Sequence, residues 1–543
     1  MSSPAEVIVA FQPVGRRVAA SREMTLLAAA RAVGVDLESV CGGTGSCGTC
    51  RVRLAAGRLS ALQAAELDQL TAEERAAGLR LACQVYPLSD VQIDIPPDSL
   101  STLQRLQLET EELPPGSAAA ERPIGSAWTS PLGLALDVGT TKLAAYLVDF
   151  RSGRTLGAAG AMNPQIAYGE DVISRIAYAD RDIEGGRVLQ ARLIETLNRL
   201  TLDLCARIHA APSQIVEAVA VGNTAMHHLL AGLPVHSLGI APYRPAVSHA
   251  LVLPARELGL GLGPEAVVYL PPNVGGFVGA DHVAMLLAAG IDRERRTVLA
   301  IDIGTNTELS LARDGRVLSC SCASGPAFEG AHISAGMRAA PGAIERVRIA
   351  ADRVMTQTIG GVPPVGICGS GILDAVAELR SAGVLDRRGS LQRTRPEVRV
   401  RDGGLEFLLV PAGDTGHGSD IAVTRHDIRE LQLAKAAIRA GIEILLVIAG
   451  TDCRALDEIV VAGAFGTYLD LRSAVTIGMF PGLPLGRFRQ IGNAAGLGAR
   501  LLLRSAERRR EAEALVGRIE YVELSGDPAF SERFLQELGF TPA

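Results

Sequence analysis

The sequence predicts a multidomain protein of mixed class: an α+β unit at the N-terminus, a linker, and an α/β part made of two similar lobes. Three observations predict it. Four cysteines, Cys41, Cys47, Cys50 and Cys83, crowd the front of the chain. A loose polar stretch carrying Pro114-Pro115-Gly116 follows. One short pattern, an apolar strand closed by Asp-x-Gly-Thr, then occurs twice, at Asp137 and at Asp302, 165 positions apart (302 minus 137). The expected boundaries are residues 1–98, 99–131, 132–292 and 296–530.

The cysteines come first. Cys41, Cys47 and Cys50 read C-x5-C-x2-C, and Cys83 follows in Arg80-Leu-Ala-Cys83-Gln84. Three clustered thiolates and one distant thiolate form the ligand pattern of a [2Fe–2S] cluster of the ferredoxin kind. Gly42, Gly43, Gly45 and Gly48 lie between the ligands, where the loop must wrap tightly and aim N–H groups at sulfur. Structural zinc usually shows two C-x2-C halves, and only one is present. Disulfides do not fit a chain without an export signal. Around the ligands, Val7 to Ala10 and Arg16 to Ala19 read as a hairpin, Thr25 to Val33 as a short helix, and Val91 to Ile95 as a closing strand. That is the β-grasp layout of such ferredoxins.

Composition bounds the rest. At 543 residues, with 48% apolar residues, the chain can bury about three cores. A net charge of −6 points away from nucleic acid and from anionic membranes. The longest apolar stretch, Ala436 to Gly450, is interrupted by Arg439 and Glu443 and is too short to span a bilayer. No charged start followed by an apolar core opens the chain. A protein of a reducing cytoplasm is expected, with Cys205, Cys320, Cys322, Cys368 and Cys453 as thiols. Only two lysines occur, Lys142 and Lys435, so 51 of the 53 basic residues are arginine.

The repeated turn has a plain chemistry. An Asp at a strand end can hold a hydrated Mg²⁺ against phosphates. A glycine lets the backbone approach, and successive N–H groups and Thr hydroxyls can grip phosphate oxygens. Two such hairpins facing each other make a clamp for a nucleotide's phosphate tail. A single copy is equally an ordinary tight hairpin. Two copies, each after a short apolar strand, favour the clamp.

In this light the second part resembles the superfamily of actin, sugar kinases and Hsp70. Asp137 to Lys142 resembles its first phosphate motif, and Asp302 to Glu308 the second. Ala218 to Met226 resembles a first connecting segment, Ile459 to Gly466 the adenosine motif, and Ile491 to Ala499 a second connecting helix. With the ferredoxin in front, the whole chain resembles the reductive activators of corrinoid proteins. Asn163 to Arg175, Pro272 to Asp281, Ser324 to Gly330 and Gly366 to Gly371 agree.

The resemblance implies an ATP-hydrolysing iron–sulfur oxidoreductase. One electron passes to inactive Co(II) of a corrinoid protein and regenerates Co(I). It implies ATP, Mg²⁺, an upstream low-potential electron donor and a homodimer formed through the ATP-binding part. In roles, Cys41, Cys47, Cys50 and Cys83 ligate iron, and Asp137 and Asp302 position Mg²⁺. Gly139, Thr140, Thr141, Gly304, Thr305, Asn306 and Thr307 hold phosphates. Gly463, Ala464, Phe465 and Gly466 face adenosine. Glu308 is a candidate to orient water. Lys142 either contacts phosphate or faces solvent. Two rivals stand: an activator of a radical dehydratase, which also pairs an actin-like ATPase with low-potential electrons, and a redox-gated scaffold that is not an enzyme.

Other residues invite blander readings. Cys320 and Cys322 are expected as core thiols on one strand face. His227 and His228 point in different directions and make no metal pair. Thr424-Arg-His-Asp427 fits a capping box. Lys435 is either solvated or near a ribose, and Arg508 to Arg510 read as a solvated helix face.

Overall fold

The computed structural model describes residues 6–12, 16–32, 50–76, 78–95, 131–169, 171–181, 184–330, 332–350, 353–401, 403–463, 465–466 and 469–540, with Val35, Leu37, Gly43, Gly45, Gly48 and Ser99 singly. Cys41, Cys47, Ala464 and nearly all of the expected linker at 99–131 lie outside the described residues. The chain divides into two compact units, Met1–Arg105 with Ala327–Leu431, and Leu106–Pro326 with Gln432–Ala543.

In the first unit the N-terminal hairpin forms as expected. Val7, Val9 and Phe11 are buried while Ile8 is exposed, the period of two that a half-covered strand requires. Glu6–Gln12 pairs antiparallel with Arg16–Ser21 and parallel with Val91–Asp94. Arg51–Ala56 and Leu79–Leu81 complete five strands. Helix Leu26–Ala32 buries Leu26, Leu27, Ala29 and Ala30 in the same core as Phe11, Val52 and Ile93.

That core is shared within the unit. Met337, Ala340, Ala343, Ile359, Val365 and Cys368 belong to the same hydrophobic cluster. They come from a segment with two three-stranded sheets and the helix Gly369–Ser381. Glycine is needed at Gly369 and Gly371 because the helix start lies directly on backbone. A Cβ at Gly371 would come 2.0 Å from the carbonyl oxygen of Ile344. The capping box forms: Thr424 accepts from the N–H of Asp427, whose carboxylate accepts from the N–H of Thr424 at 2.8 Å.

The second unit holds two six-stranded mixed sheets of matching plan. In one, Leu132–Val138 pairs antiparallel with Lys142–Asp149 and parallel with Ile215–Val221. In the other, Val298–Ile303 pairs antiparallel with Thr307–Arg313 and parallel with Glu458–Ala462. Both leading strands are near-continuous apolar runs because both faces are covered. Asp137 and Asp302 occupy the same next-to-last position of these strands. The internal repeat is thus a repeat of architecture.

Two helices join the lobes in one core. Ala280–Ala289 and Ala494–Arg504 cross closely: a Cβ on Gly498 would stand 2.1 Å from the Ala284 carbonyl oxygen. The helix that crosses 494–504 is therefore Ala280–Ala289. Among the described residues no helix is long and apolar enough to cross a membrane.

Candidate functional site

The first hairpin turn is built on close backbone approach. A Cβ at Gly139 would lie 2.6 Å from the carbonyl oxygen of Lys142, so only glycine closes the turn. Asn163 donates to the Gly139 carbonyl at 2.9 Å, and Asn223 donates to the Thr140 hydroxyl at 2.7 Å. In the second turn, Ser324 donates to the carbonyls of Gly304 and Thr305, each at 3.3 Å. Asn306 is half-buried beside them. The turns meet: Thr141 Oγ1 lies 3.1 Å from Thr305 Oγ1. Residues 164 apart in sequence are thus brought to hydrogen-bond distance by the pairing of lobes.

Thr307 differs from expectation. It is fully buried, and its hydroxyl shares a hydrogen bond of 2.8 Å with Ser324. That bond ties the second turn to the strand end at Ser324. Lys142 is half-buried at the first position of its strand.

Carboxylates gather at the strand ends. Asp302 and Glu308 are cross-strand partners in the ladder. Like charges directly opposite are destabilising unless something neutralises them. Burial, then the charge of Asp137, pushes Asp302 up to about 7. Burial pushes Asp137 up to about 6, and the Asn493 amide pulls it back. Glu308 is raised well above the usual carboxylate range by burial, then by Asp281 and Asp302; Ser321 donates to it at 3.3 Å.

Asp281 completes the group and carries no role in the sequence reading. Burial, then Asp302 and Asp137, raise it to about 8. It stands in the first turn of helix Ala280–Ala289. The helix start is pressed onto the first lobe: a Cβ at Gly279 would lie 2.3 Å from the Asn223 Cα, and the Asp281 N–H reaches the Gly222 carbonyl at 3.3 Å. The signal for it was the glycine-dense Gly275-Gly-Phe-Val-Gly-Ala-Asp281 ahead of an apolar helix.

Among the described residues no three His, Cys, Asp or Glu side chains form a ready metal cage. Mg²⁺ keeps several waters and takes one or two carboxylates plus substrate phosphates. Asp281, Asp302 and Glu308, each raised by a carboxylate neighbour, together with the buried Asp137, fit a dication that would relieve them.

The turn at Gly463, read above as the adenosine motif, stands against the second leading strand. Gly463 has φ of +91°, and a Cβ there would lie 2.4 Å from the Ile303 carbonyl and 2.9 Å from Asp302 Oδ1. A Cβ at Gly466 would lie 2.3 Å from the Ala462 carbonyl, and Phe465 is half-buried between them.

In the first unit, Cys50 and Cys83 are buried. The Cys50 carbonyl accepts from the N–H of Ala82 at 2.8 Å, which sets the two cysteine segments side by side. Gln84 donates to Cys83 Sγ at 3.5 Å and to the Gly43 carbonyl at 3.3 Å. Gly43, Gly45 and Gly48 all have positive φ. A Cβ at Gly45 would meet Ala65 at 2.9 Å. Amides and small residues around two buried sulfurs fit a cluster cradle.

Several other residues resolve. Cys320 and Cys322 are buried core thiols, and Cys320 is pushed up by burial and then by Cys322. His228 accepts from the N–H groups of Ala246 and Val247 and binds the Thr224 carbonyl, so it holds a loop. Lys435 is neither solvated nor placed at a ribose. It is fully buried, donates to the Gly539 carbonyl at 2.6 Å and sits over the Phe540 ring. The arginine run is not uniformly solvated either. Arg509 is buried, pairs with Glu217 at 2.7 Å and stacks on Tyr269.

Comparison with known proteins decides the family. Residues 9–88 match the 2Fe–2S iron–sulfur cluster binding domain, 132–294 the RACo middle region, and 296–543 the C-terminal ASKHA domain of RACo. The corrinoid activation enzyme RamQ of Eubacterium limosum is 38% identical, over 75% of this chain and 70% of that one. The chain belongs to the RACo family. Another family relative, the [Co(II) methylated amine-specific corrinoid protein] reductase of Methanosarcina barkeri, is 27% identical over 75% of this chain and 77% of its own. The solved structure of a reductive activator for corrinoid, iron–sulfur protein matches with a TM-score of 0.71 at 34% identity, covering 98% of both chains. An N-terminal ferredoxin and a C-terminal ASKHA fold are therefore the RACo architecture of this chain.

Proposed function

We propose that this chain is an ATP-dependent reductive activator, which returns inactive Co(II) of a corrinoid methyl-carrier protein to Co(I) with one electron. The observation that carries this reading is membership of the RACo family along nearly the whole chain, with relatives named for corrinoid activation and reduction. The domain boundaries we assign are 1–98, 99–131, 132–292 and 296–530.

Cys41, Cys47, Cys50 and Cys83 hold the [2Fe–2S] cluster, which supplies single electrons at about −400 mV. The cobalt couple generally lies lower. Each 100 mV of mismatch costs about 2.3 kcal/mol per electron. A nucleotide offsets that gap only if it binds one conformation better than another. Two lobes joined by crossing helices supply such a pair of conformations. Thr140, Thr141, Thr305 and Asn306 grip phosphate oxygens, with Gly139 and Gly304 letting the backbone approach. Asp137 and Asp302 orient the Mg²⁺ that accompanies ATP. Asp281, raised to about 8, and Glu308, raised well above the usual carboxylate range, are the groups we assign to orient the attacking water and to take its proton once Mg²⁺ is bound. Gly463, Ala464, Phe465 and Gly466 line the adenosine side, and Thr307 braces the second turn. The electron comes from an upstream low-potential donor in the cytoplasm, and the working unit is a homodimer through the ATP-binding region.

The test is an anaerobic titration of a Co(II) corrinoid protein with the reduced activator, followed by its Co(I) absorbance. Co(I) is expected to accumulate with ATP and to stay low without it; equal yields would end the coupling idea. Asp302→Ala should abolish phosphate release while leaving the cluster's EPR signal intact.

A further inference from the structure

Asn493 is where the chain leaves the second sheet for the first. Strand Phe488–Gln490 lies at the edge of the second sheet, while helix Ala494–Arg504 packs on the first. At this crossing the Asn493 side chain makes three bonds. Its Oδ1 accepts from the N–H of Gly496 at 2.9 Å, capping the helix. Its Nδ2 donates to Asp137 Oδ2 at 3.0 Å and reaches the Tyr146 hydroxyl at 3.3 Å. Which end faces which partner is dictated by chemistry. The helix end needs an acceptor, so the amide nitrogen is the end left for the carboxylate.

The neighbouring backbone reaches the other aspartate. The Gly492 carbonyl accepts from the N–H of Gly463 at 3.1 Å, and Gly463 is the turn pressed against Asp302. A short path thus runs from Asp302 through the adenosine turn and Gly492–Asn493 to Asp137.

We infer that Asn493 is a positioning residue: its amide holds the Asp137 carboxylate in register with Asp302, and ties that register to the turn beside the nucleotide base. This rests on the nucleotide-site reading above. Partners that orient a metal-binding carboxylate act without touching the substrate. The bond joins the start of the helix packed on the first sheet to that sheet's leading strand, at the point where the chain arrives from the second sheet.

The test compares the full chain with Asn493→Ser, which keeps a cap acceptor but cannot reach Asp137, and Asn493→Asp, which keeps the shape and the cap but loses the donor. The serine variant should melt with the wild type, while the aspartate variant, which sets a second carboxylate beside Asp137, should melt lower without Mg²⁺. Both should lower ATP turnover about 10- to 100-fold with KM for ATP little changed. For the serine variant, the Mg²⁺ concentration that half-saturates binding of a fluorescent ADP analogue should rise by a similar factor. Wild-type turnover in either variant would overturn the inference. So would a fall in the serine variant's melting temperature with kcat and KM lost together, which marks a cap and nothing more. A wild-type chain that binds no nucleotide would instead overturn the reading beneath it.

Discussion

At the scale of residues, the carboxylate cluster is the feature with most consequence. Asp302 titrates near 7 in the folded chain against an ordinary 3.8, and Asp281 near 8. Between those values the folded state binds more protons than the unfolded one, so stability falls as pH rises through the window. Without Mg²⁺ and nucleotide, the chain should melt at a higher temperature at pH 5.5 than at pH 8. Saturating Mg-nucleotide should flatten that difference; scanning calorimetry at the two pH values decides it. Asp281→Asn should cut phosphate release by about 100-fold and raise the metal-free melting temperature, since it removes one of the mutually repelling charges. Wild-type release rates would exclude Asp281 from the chemistry. Asp137, Asp302 and Glu308 were legible because each lies within seven residues of its own Asp-x-Gly-Thr turn. Asp281 was not: it lies 21 positions before Asp302 (302 minus 281), and only the docking of a helix start on Asn223 brings it in. The full burial of Thr307 was not legible, because local pattern does not say which face of a strand is already covered. Lys435 and Arg509 were misread for a related reason. A charged side chain looks solvated until the fold shows a carbonyl or a carboxylate waiting for it.

At the scale of elements, the crossing of Ala280–Ala289 with Ala494–Arg504 carries the core that the two sheets share. Gly498→Val would push branched carbon into the Ala284 backbone, where even a methyl has no room. Overpacking of that kind costs about 1–3 kcal/mol, and here the neighbour is backbone and cannot turn away. A drop in melting temperature together with loss of nucleotide-dependent change is expected; an unchanged denaturation curve would show that the crossing can spread. The leading strands were readable because covered strands are short apolar runs bounded by turn residues. The box at Thr424 was readable because capping is decided by four adjacent residues. The small sheets at 343–367 and 398–424 were not recognised. Their strands are short, and their burial depends on partners far along the chain. The same limit kept the partner of helix Ala494–Arg504 out of view, since crossing partners are a tertiary fact.

At the scale of the whole molecule, the ferredoxin part is not a bead on a string. Its hydrophobic core continues into Met337, Ala340, Ala343, Ile359, Val365 and Cys368. A fragment of residues 1–98 should therefore lose its cluster absorbance at a lower temperature than the intact chain; equal melting would show that the added contacts contribute nothing. The broad plan, a ferredoxin ahead of a two-lobed ATPase fold, was legible from four cysteines and one repeated turn. This sharing of a core between 1–105 and 327–431 was not, because no local pattern links segments separated by 221 residues (326 minus 105). It has a consequence for birth on the ribosome. At about 5–20 residues per second, the partner segment begins to emerge some ~10–45 s after the N-terminal part is finished. Through that interval the nascent ferredoxin presents an uncovered greasy flank to the crowded cell, and holding chaperones have a defined reason to meet it there.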